Sequence, residues 1–149
     1  MSEAPFDYGD EPDLPGWKRW TLRDDTRFNA TLGPIAVRIV DGIAQVRMVP
    51  QRQHSNLADS MHGGALLGFM DVALFAAARS FGCITAGAAV TLDLSAQFIG
   101  TSTIGEPVIA HVELLRETGR MLFMRGLVKQ DEATLAAFSG TVRKSTQRA

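Results

Sequence analysis

The sequence contains a single cysteine among its 149 residues, so no disulfide can form within the chain. It also has no excess of positive charge: 15 Lys and Arg stand against 16 Asp and Glu, and the formal net charge is -1. Binding to nucleic acid or to an anionic membrane therefore has no electrostatic support. The first residues are acidic and lack the basic and then apolar layout of a signal peptide. We expect a cytoplasmic protein with neither a nucleic-acid nor a membrane partner.

The sequence lacks an uninterrupted apolar run long enough to cross a bilayer. The nearest candidate is segment 56–80, but glycines interrupt it and Asp71 would lie in hydrocarbon. Over residues 65–78 its apolar side chains occupy every angular sector, which is typical of a helix enclosed by other structure. We predict a buried helix with Asp59 or Ser60 as its N-cap.

Alternating apolar and polar residues predict strands on both sides of this helix. Segments 35–40 and 43–49 flank Asp41-Gly42, a dipeptide typical of a two-residue hairpin turn. A short helix is indicated before them, over residues 24–32. Four strands follow the long helix, the last three as an antiparallel meander: 89–98, 107–117, 120–130 and 133–144. The predicted fold class is α+β, with one curved antiparallel sheet wrapped around a long central apolar helix.

The length and the 46% apolar content are those of one ordinary domain. Residues 1–20 mix Pro, Gly, Asp and Glu without periodicity, so we predict a loosely ordered N-terminal arm that packing of Trp17 and Trp20 would order. Residues 21–149 form the predicted single domain.

The start of the long helix carries the sequence His62-Gly63-Gly64. Backbone N–H groups in a first helical turn have no partner within the helix, and the helix dipole favours negative charge there. Glycine allows a ligand to come close to the backbone, so this turn is suited to stabilising an oxyanion. The alternative is that the glycines only allow the helix to pack closely on a strand.

Asp71 is a carboxylate in the middle of the apolar helix. An unpaired buried carboxylate is costly and is often found where it is used in catalysis; the alternative is a structural Asp bonded to backbone amides or to Arg79. Arg79 and Gly63 each lie about 12 Å from Asp71 along the axis, and His62 projects from the opposite side of the helix. A single helix therefore cannot bring both the N–H groups at its start and the Asp71 carboxylate to the same substrate atom. If both act on one substrate, the active form is a twofold dimer with sites at the interface.

These residues, in this order, resemble the motif of hotdog-fold acyl-CoA thioesterases. The resemblance is to the PaaI-like group, which includes phenylacetyl-CoA and 4-hydroxybenzoyl-CoA thioesterases. It covers residues 33–144 and is carried by Leu32-Gly33-Pro34, the Asp-Gly hairpin, Asn56, His62-Gly63-Gly64, Asp71 and Thr91-Leu92-Asp93.

The resemblance implies hydrolysis of an acyl-CoA thioester, with Asp71 as general base or nucleophile. The Gly63 N–H would be the oxyanion donor. Asn56 and His62 would hold the carbonyl or the attacking water near the opposing Asp71. Asn56 has the alternative role of fixing its own loop, and His62 that of capping the helix.

Thr91 matches a Ser/Thr position that lies near the attacking water in relatives. Strand parity places Thr91 on the face opposite Val90, Leu92 and Leu94, so it reaches the site only if a bulge or the sheet twist turns it.

Four helix residues are candidates for binding the acyl group, with plain core packing as the alternative: Gly64, Leu67, Met70 and Phe75. The histidines and Cys83 have no metal-ligand spacing, so we expect no metal. No separate cofactor is expected either, because coenzyme A would be part of the substrate. We expect a homodimer that assembles further to a homotetramer.

Two other functions stay open from the sequence. A hotdog hydratase or dehydratase also acts on acyl thioesters, but it would hydrate an enoyl-CoA instead of releasing a thiol. A non-catalytic acyl-CoA binding module would release no thiol and would be insensitive to Asp71→Asn.

Overall fold

The computed structural model describes residues 4–85 and 89–145. Within these residues there is one α-helix, α1 (Gly63–Ser80), and two short 3₁₀ helices cover Phe28–Leu32 and Arg52–His54. The strands, in chain order, are β1 (Phe6–Asp7), β2 (Lys18–Arg19), β3 (Thr21–Leu22), β4 (Ala36–Val40), β5 (Ile43–Met48), β6 (Val90–Phe98), β7 (Val108–Glu117), β8 (Met121–Gln130) and β9 (Ala133–Arg143).

Seven of these strands form one antiparallel sheet, in the order β2-β4-β5-β7-β8-β9-β6, while β1 pairs with β3 in a small separate sheet. The predicted hairpin joins β4 to β5. Its turn residues Asp41 and Gly42 have φ angles of 51° and 78°, as a two-residue hairpin turn requires. The predicted meander β7-β8-β9 is also present.

Helix α1 packs against the sheet and contacts strands β4 to β9. The side chains of Phe69, Met70 and Leu74 are completely buried between the helix and the sheet. By length and composition alone the 18 residues of α1 suffice to cross a membrane, but here half of the helix is buried inside the protein. The predicted α+β class with one central helix is confirmed.

The sheet curves around the helix as predicted, but one side of the helix is less covered than the rest. A stripe of residues spaced three or four apart is left partly accessible, because the sheet covers the other faces of α1. The stripe runs along the helix through Gly64, Leu67, Asp71 and Phe75.

The helix also begins later than predicted, with His62 as its N-cap. Neither of the two residues predicted as the N-cap caps the helix, because both belong to the preceding loop. Asp59 lies in the preceding turn with a φ of 57°, and the Ser60 hydroxyl accepts a hydrogen bond of 2.9 Å from the Ser102 N–H. The predicted helix over 24–32 is shorter, a 3₁₀ turn over Phe28–Leu32.

Strand β6 forms one end of the sheet, since its only strand partner among the described residues is β9. Several large apolar side chains on and beside this edge are exposed: Val90, Leu92, Phe98 and Ile99. A nine-residue edge strand with exposed apolar side chains is a surface suited to pairing with another chain.

The N-terminal arm lies against the body of the protein. Strand β2 pairs with β4, and Trp17 and Trp20 are buried. The Phe6 ring stacks on Trp20 with 3.8 Å between ring centroids. Residues 1–3 of the predicted arm, and residues 86–88 and 146–149 of the predicted domain, lie outside the described residues.

Candidate active site

Asp71 lies half-buried in the wall of a cavity of about 240 Å³. Most of the lining is apolar and includes Val72 and Phe75 from the same helix. In the described part of the chain, no Lys, Arg or His forms an ion pair with Asp71. Arg79, the cationic partner predicted as an alternative, instead lies over the Tyr8 ring, with its guanidinium carbon 4.6 Å from the ring centroid. The carboxylate is therefore not neutralised by its own helix.

Thr91 reaches Asp71 because β6 contains a bulge. The pairing of β6 with β9 shifts by one residue between Thr91 and Asp93, which leaves Leu92 as the extra residue. The Thr91 hydroxyl consequently donates a 2.6 Å hydrogen bond to Asp71 Oδ1. The predicted side-chain alternation is wrong at Leu92, which is 50% exposed instead of facing the core.

His62 caps helix α1 with its own side chain. Its Nδ1 accepts a 2.8 Å hydrogen bond from the Gly64 N–H. Because Nδ1 accepts, the neutral ring carries its proton on Nε2. The Gly64 N–H is used by this cap, whereas the Gly63 N–H has no partner among the described residues.

Asn56 fixes the loop that leads into the helix. Its Oδ1 accepts hydrogen bonds from the N–H groups of Ala58 (2.9 Å) and Ser60 (3.1 Å). With the amide oxygen held in this way, the Asn56 NH₂ group has no acceptor among the described residues. The loop-fixing role considered from the sequence is therefore present, and it leaves the amide donors available.

Asn56 and His62 line an open groove of about 760 Å³, together with Arg52. The groove and the Asp71 cavity have no lining residue in common. The free polar hydrogens of Asn56, His62 and Gly63 lie at the helix start, while the carboxylate lies about 12 Å further along the axis. One chain thus holds a cluster of hydrogen-bond donors and a separate carboxylate.

The acyl-binding candidates are placed differently from one another. Phe75 lies in the cavity wall beside Asp71. Met70 is completely buried in the core, and Leu67 is 38% exposed on the open stripe of α1. Neither of these two lines the cavity, and Gly64 is exposed at the helix start.

Sequence reasoning missed several residues that line the two spaces. Asn29, Phe6 and Trp20 lie in the wall of the Asp71 cavity, and Arg52 lies in the groove beside Asn56. Arg52 is close to Asn56 in sequence and could have been found from that spacing. The other three come from segments far from Asp71 along the chain, so only the folded structure brings them to it.

The one cysteine is unsuited to act as a nucleophile. Burial raises the pKa of the Cys83 thiol to about 11, and the neighbouring Glu117 carboxylate acts in the same direction. The thiol is therefore protonated at neutral pH, whereas the reactive form of cysteine is the thiolate. In residues 4–85 and 89–145, no group of three or more His, Cys, Asp or Glu side chains is placed to hold a metal ion.

A sequence profile of the thioesterase superfamily matches residues 59–137, more than half of the chain. The match includes the helix start, Asp71 and Thr91. The chain therefore belongs to the thioesterase superfamily, and thioester hydrolysis is the class of reaction that this family indicates. No curated protein sequence matches the chain.

Solved structures resemble this fold over most of its length. An asparagine-to-aspartate variant of the phenylacetic acid degradation protein PaaI from Thermus thermophilus is 26% identical, with a TM-score of 0.65 over 79% of this chain and 98% of that one. PaaI from Escherichia coli is 24% identical, with a TM-score of 0.66 over 78% and 83%. A hypothetical thioesterase with coenzyme A from Streptococcus pneumoniae is 16% identical, with a TM-score of 0.68 over 81% and 93%. The antiparallel sheet with one central helix is the hotdog fold, as the resemblance implied.

Proposed function

We propose that the protein hydrolyses an acyl-CoA thioester at two sites, each shared between the subunits of a homodimer. The observation that carries the proposal is the separation, on one chain, of the donors at the helix start from the carboxylate of Asp71. Hydrolysis of a thioester needs an oxyanion site and a base or nucleophile at the same carbonyl group. A second copy of α1, running antiparallel, would bring its Gly63 to the first copy's Asp71.

In this site the Gly63 N–H would donate to the thioester oxygen as negative charge develops on it. Asn56 and His62 of the same subunit have free donors for the same oxygen or for a water molecule. Asp71 of the other subunit would take a proton from water as the water oxygen attacks the carbonyl carbon. The carbon–sulfur bond then breaks, the thiolate takes up a proton, and the products are the free acid and the thiol.

In an alternative route, the Asp71 carboxylate attacks the carbonyl carbon itself. This expels the thiolate and leaves a mixed anhydride, which water then hydrolyses to the acid and restores Asp71. In either route the Thr91 hydroxyl holds one carboxylate oxygen and leaves the other oxygen for the reaction.

The edge of the sheet supports the proposed dimer. Strand β6 follows the cavity residue Ala89, and its exposed edge carries the apolar side chains Leu92 and Phe98. Pairing of two β6 strands about a twofold axis would bury these side chains and place two antiparallel copies of α1 side by side. Further association of two dimers into a tetramer is part of the proposal.

Support for coenzyme A as the thiol comes from the comparisons and from Arg52. The 26% identical PaaI relative is a phenylacetic acid degradation protein, and a protein of the same fold binds coenzyme A in its crystal structure. Arg52 lines the groove at the helix start and would supply positive charge for a phosphate group. The proposed reaction needs only water and substrate, and we propose a cytoplasmic protein without a metal or separate cofactor.

The first test is release of free thiol from short, medium, long and aryl acyl-CoAs by the wild type and by Asp71→Asn. We expect the substitution to lower the rate by at least about a hundredfold with the fold intact, because it removes the general base or nucleophile. Circular dichroism and thermal unfolding check the fold of the variant. A variant with nearly wild-type turnover would contradict the proposed role of Asp71.

The same assays distinguish the other functions. Hydration of an enoyl-CoA without thiol release would indicate a hydratase. Tight binding of acyl-CoA without any turnover, unchanged by Asp71→Asn, would indicate a binding module. Either result would overturn the proposed hydrolysis.

A further inference from the structure

The N-terminal arm supplies two aromatic residues to the Asp71 cavity. Phe6, from β1, and Trp20 line the cavity together with Val72 and Phe75 of the helix. Both arm residues precede residue 59, where the match to the thioesterase superfamily begins. This part of the wall therefore lies outside the region that the family profile matches.

The aromatic pair is held in a fixed arrangement. The rings of Phe6 and Trp20 are stacked, with centroids 3.8 Å apart and planes at 8°, and Tyr8 meets Trp20 edge-on at 6.1 Å. Trp20 is 3% exposed. Stacked aromatic pairs of this kind add stability beyond that of burying their surface.

Other contacts fix the arm to itself and to the helix. Within the arm, Arg19 forms a 3.3 Å ion pair with Asp7. Arg23, just beyond the arm, donates a 2.9 Å hydrogen bond to the Ala4 carbonyl. Arg79 of α1 lies over the Tyr8 ring at 4.6 Å. The arm thus contacts the C-terminal end of the helix, beyond Asp71, and its residues Phe6 and Trp20 form part of the cavity wall.

The volume of the cavity limits the size of the acyl group that it can hold. A cavity of about 150 Å³ lined by apolar side chains accommodates one benzene molecule. The 240 Å³ beside Asp71 has room for one ring with a short link, or for a short chain of similar size. A long acyl chain would need the space that Phe6 and Trp20 occupy.

We propose that Phe6 and Trp20 form the end wall of the acyl-binding cavity and exclude long acyl groups. These are specificity-determining residues that do not take part in the chemistry. This inference rests on the proposed function for its substrate, since an acyl group reaches the cavity only if its thioester lies at Asp71.

The main test compares kcat/KM for decanoyl-CoA with kcat/KM for butanoyl-CoA. We expect the wild type to prefer butanoyl-CoA. Phe6→Ala removes a half-buried ring from the wall and is expected to raise the ratio of decanoyl to butanoyl at least about tenfold. Trp20→Phe shortens the wall more mildly and keeps an aromatic core side chain, so it provides a second variant if Phe6→Ala does not fold.

Tyr8→Ala is the matched control. Tyr8 belongs to the same strand region and touches both Trp20 and Arg79, but it does not line the cavity. Tyr8→Ala therefore tests the effect of weakening the contacts of the arm without removing a side chain from the cavity wall. Its ratio of kcat/KM for decanoyl-CoA to that for butanoyl-CoA should stay close to the wild-type ratio. An equal change in Phe6→Ala and Tyr8→Ala, or no change in Phe6→Ala and Trp20→Phe, would overturn the inference.

A binding measurement separates this inference from the proposed function. Calorimetry with butanoyl-CoA and decanoyl-CoA is carried out on Asp71→Asn, with and without Phe6→Ala. A gain of decanoyl-CoA affinity on Phe6→Ala would support the proposed role of Phe6 in the cavity wall, even if the wild type hydrolyses neither thioester. Absence of hydrolysis in the wild type would contradict only the proposed function. If both thioesters are hydrolysed and the chain-length preference is the same in every variant, only the proposed role of Phe6 and Trp20 in limiting chain length would be contradicted.

Discussion

At the scale of single residues, Thr91 is hydrogen-bonded to the proposed catalytic group. Its hydroxyl donates to Asp71 over 2.6 Å, and a hydrogen bond to a charged group is stronger than one between neutral groups. The bond holds one carboxylate oxygen and so orients the other. Thr91 is therefore a positioning residue for Asp71.

We expect Thr91→Val to lower kcat about tenfold or more, because it keeps the shape of the side chain and removes a hydrogen bond worth about 1.5–3 kcal/mol. Thr91→Ser retains the hydroxyl and should recover most of the rate. Thiol release under saturating acyl-CoA measures both. Equal rates for the Val and Ser variants would show that the bond to Asp71 does not matter for turnover.

The sequence identified Thr91 as a candidate site residue, but it did not predict that the side chain points toward Asp71. Regular alternation along 89–98 puts Thr91 and Leu94 on opposite faces, and the insertion of Leu92 as a bulge reverses that relation. By contrast, the choice of Asp71 required only the sequence, because a carboxylate in an apolar helix is conspicuous. The local roles of His62 and Asn56 were foreseen as alternatives, and both side chains adopt them while leaving donors free.

At the scale of elements, close approach of neighbouring strands depends on Gly126 in β8. A Cβ atom at this position would clash with the backbone carbonyl oxygen of His111 and would lie 2.8 Å from the Phe138 ring. The carbonyl belongs to the paired strand β7 and cannot move without disturbing the sheet.

Gly126→Ala is therefore expected to lower the free energy of unfolding by about 1–3 kcal/mol, the cost of overpacking. Gly119→Ala is the matched control, since no atom lies within 4 Å of a Cβ built there. Urea denaturation of the two variants measures the difference. Equal stability of both would contradict the close packing seen at Gly126.

The elements themselves were largely predictable, because the signals that define them are local. Asp41-Gly42 fixed the first hairpin, and the alternating segments gave β4 to β9 within a residue or two of their observed ends. The helix start was misplaced because Asp59 and Ser60 are used by the preceding loop, whose contact with Ser102 is 42 residues distant in sequence. Such a distant contact has no signature in the local sequence around Asp59 and Ser60.

At the scale of the whole molecule, the main feature is the separation of two half-sites. One half-site is the group of donors at the helix start, and the other is the Asp71 carboxylate. The helical spacing predicted this separation, and the groove at Asn56 and the cavity at Asp71 have no lining residue in common. The docking of the arm beside the cavity was not predictable, because it depends on Phe6 and Trp20 meeting a helix that is distant from both in the chain. Burial of the two tryptophans was the only part of that arrangement with a sequence signal.

Gly63 offers a way to remove one half-site without disturbing the fold. Gly63→Pro deletes the N–H at the first helical position, where proline is well accepted. His62, with φ -60° and ψ 138°, already has the extended conformation that a residue before proline adopts. Loss of one oxyanion donor is expected to lower kcat about 10²–10³-fold. Gly63→Ala keeps the N–H and has space for its methyl group, since the nearest atoms of Phe98 lie 3.8 Å away, so it should stay active.

The most direct test of a site shared between subunits is the activity of two purified heterodimers, obtained by co-expressing chains with different affinity tags. In the first, one chain carries Asp71→Asn and the other carries Gly63→Pro; in the second, one chain carries both substitutions and the other is wild type. Shared sites predict about half of the wild-type activity for the first heterodimer, which keeps one intact site, and almost none for the second. The reverse result, an inactive first heterodimer and a half-active second one, would show that each chain contains a complete site and would contradict the central claim.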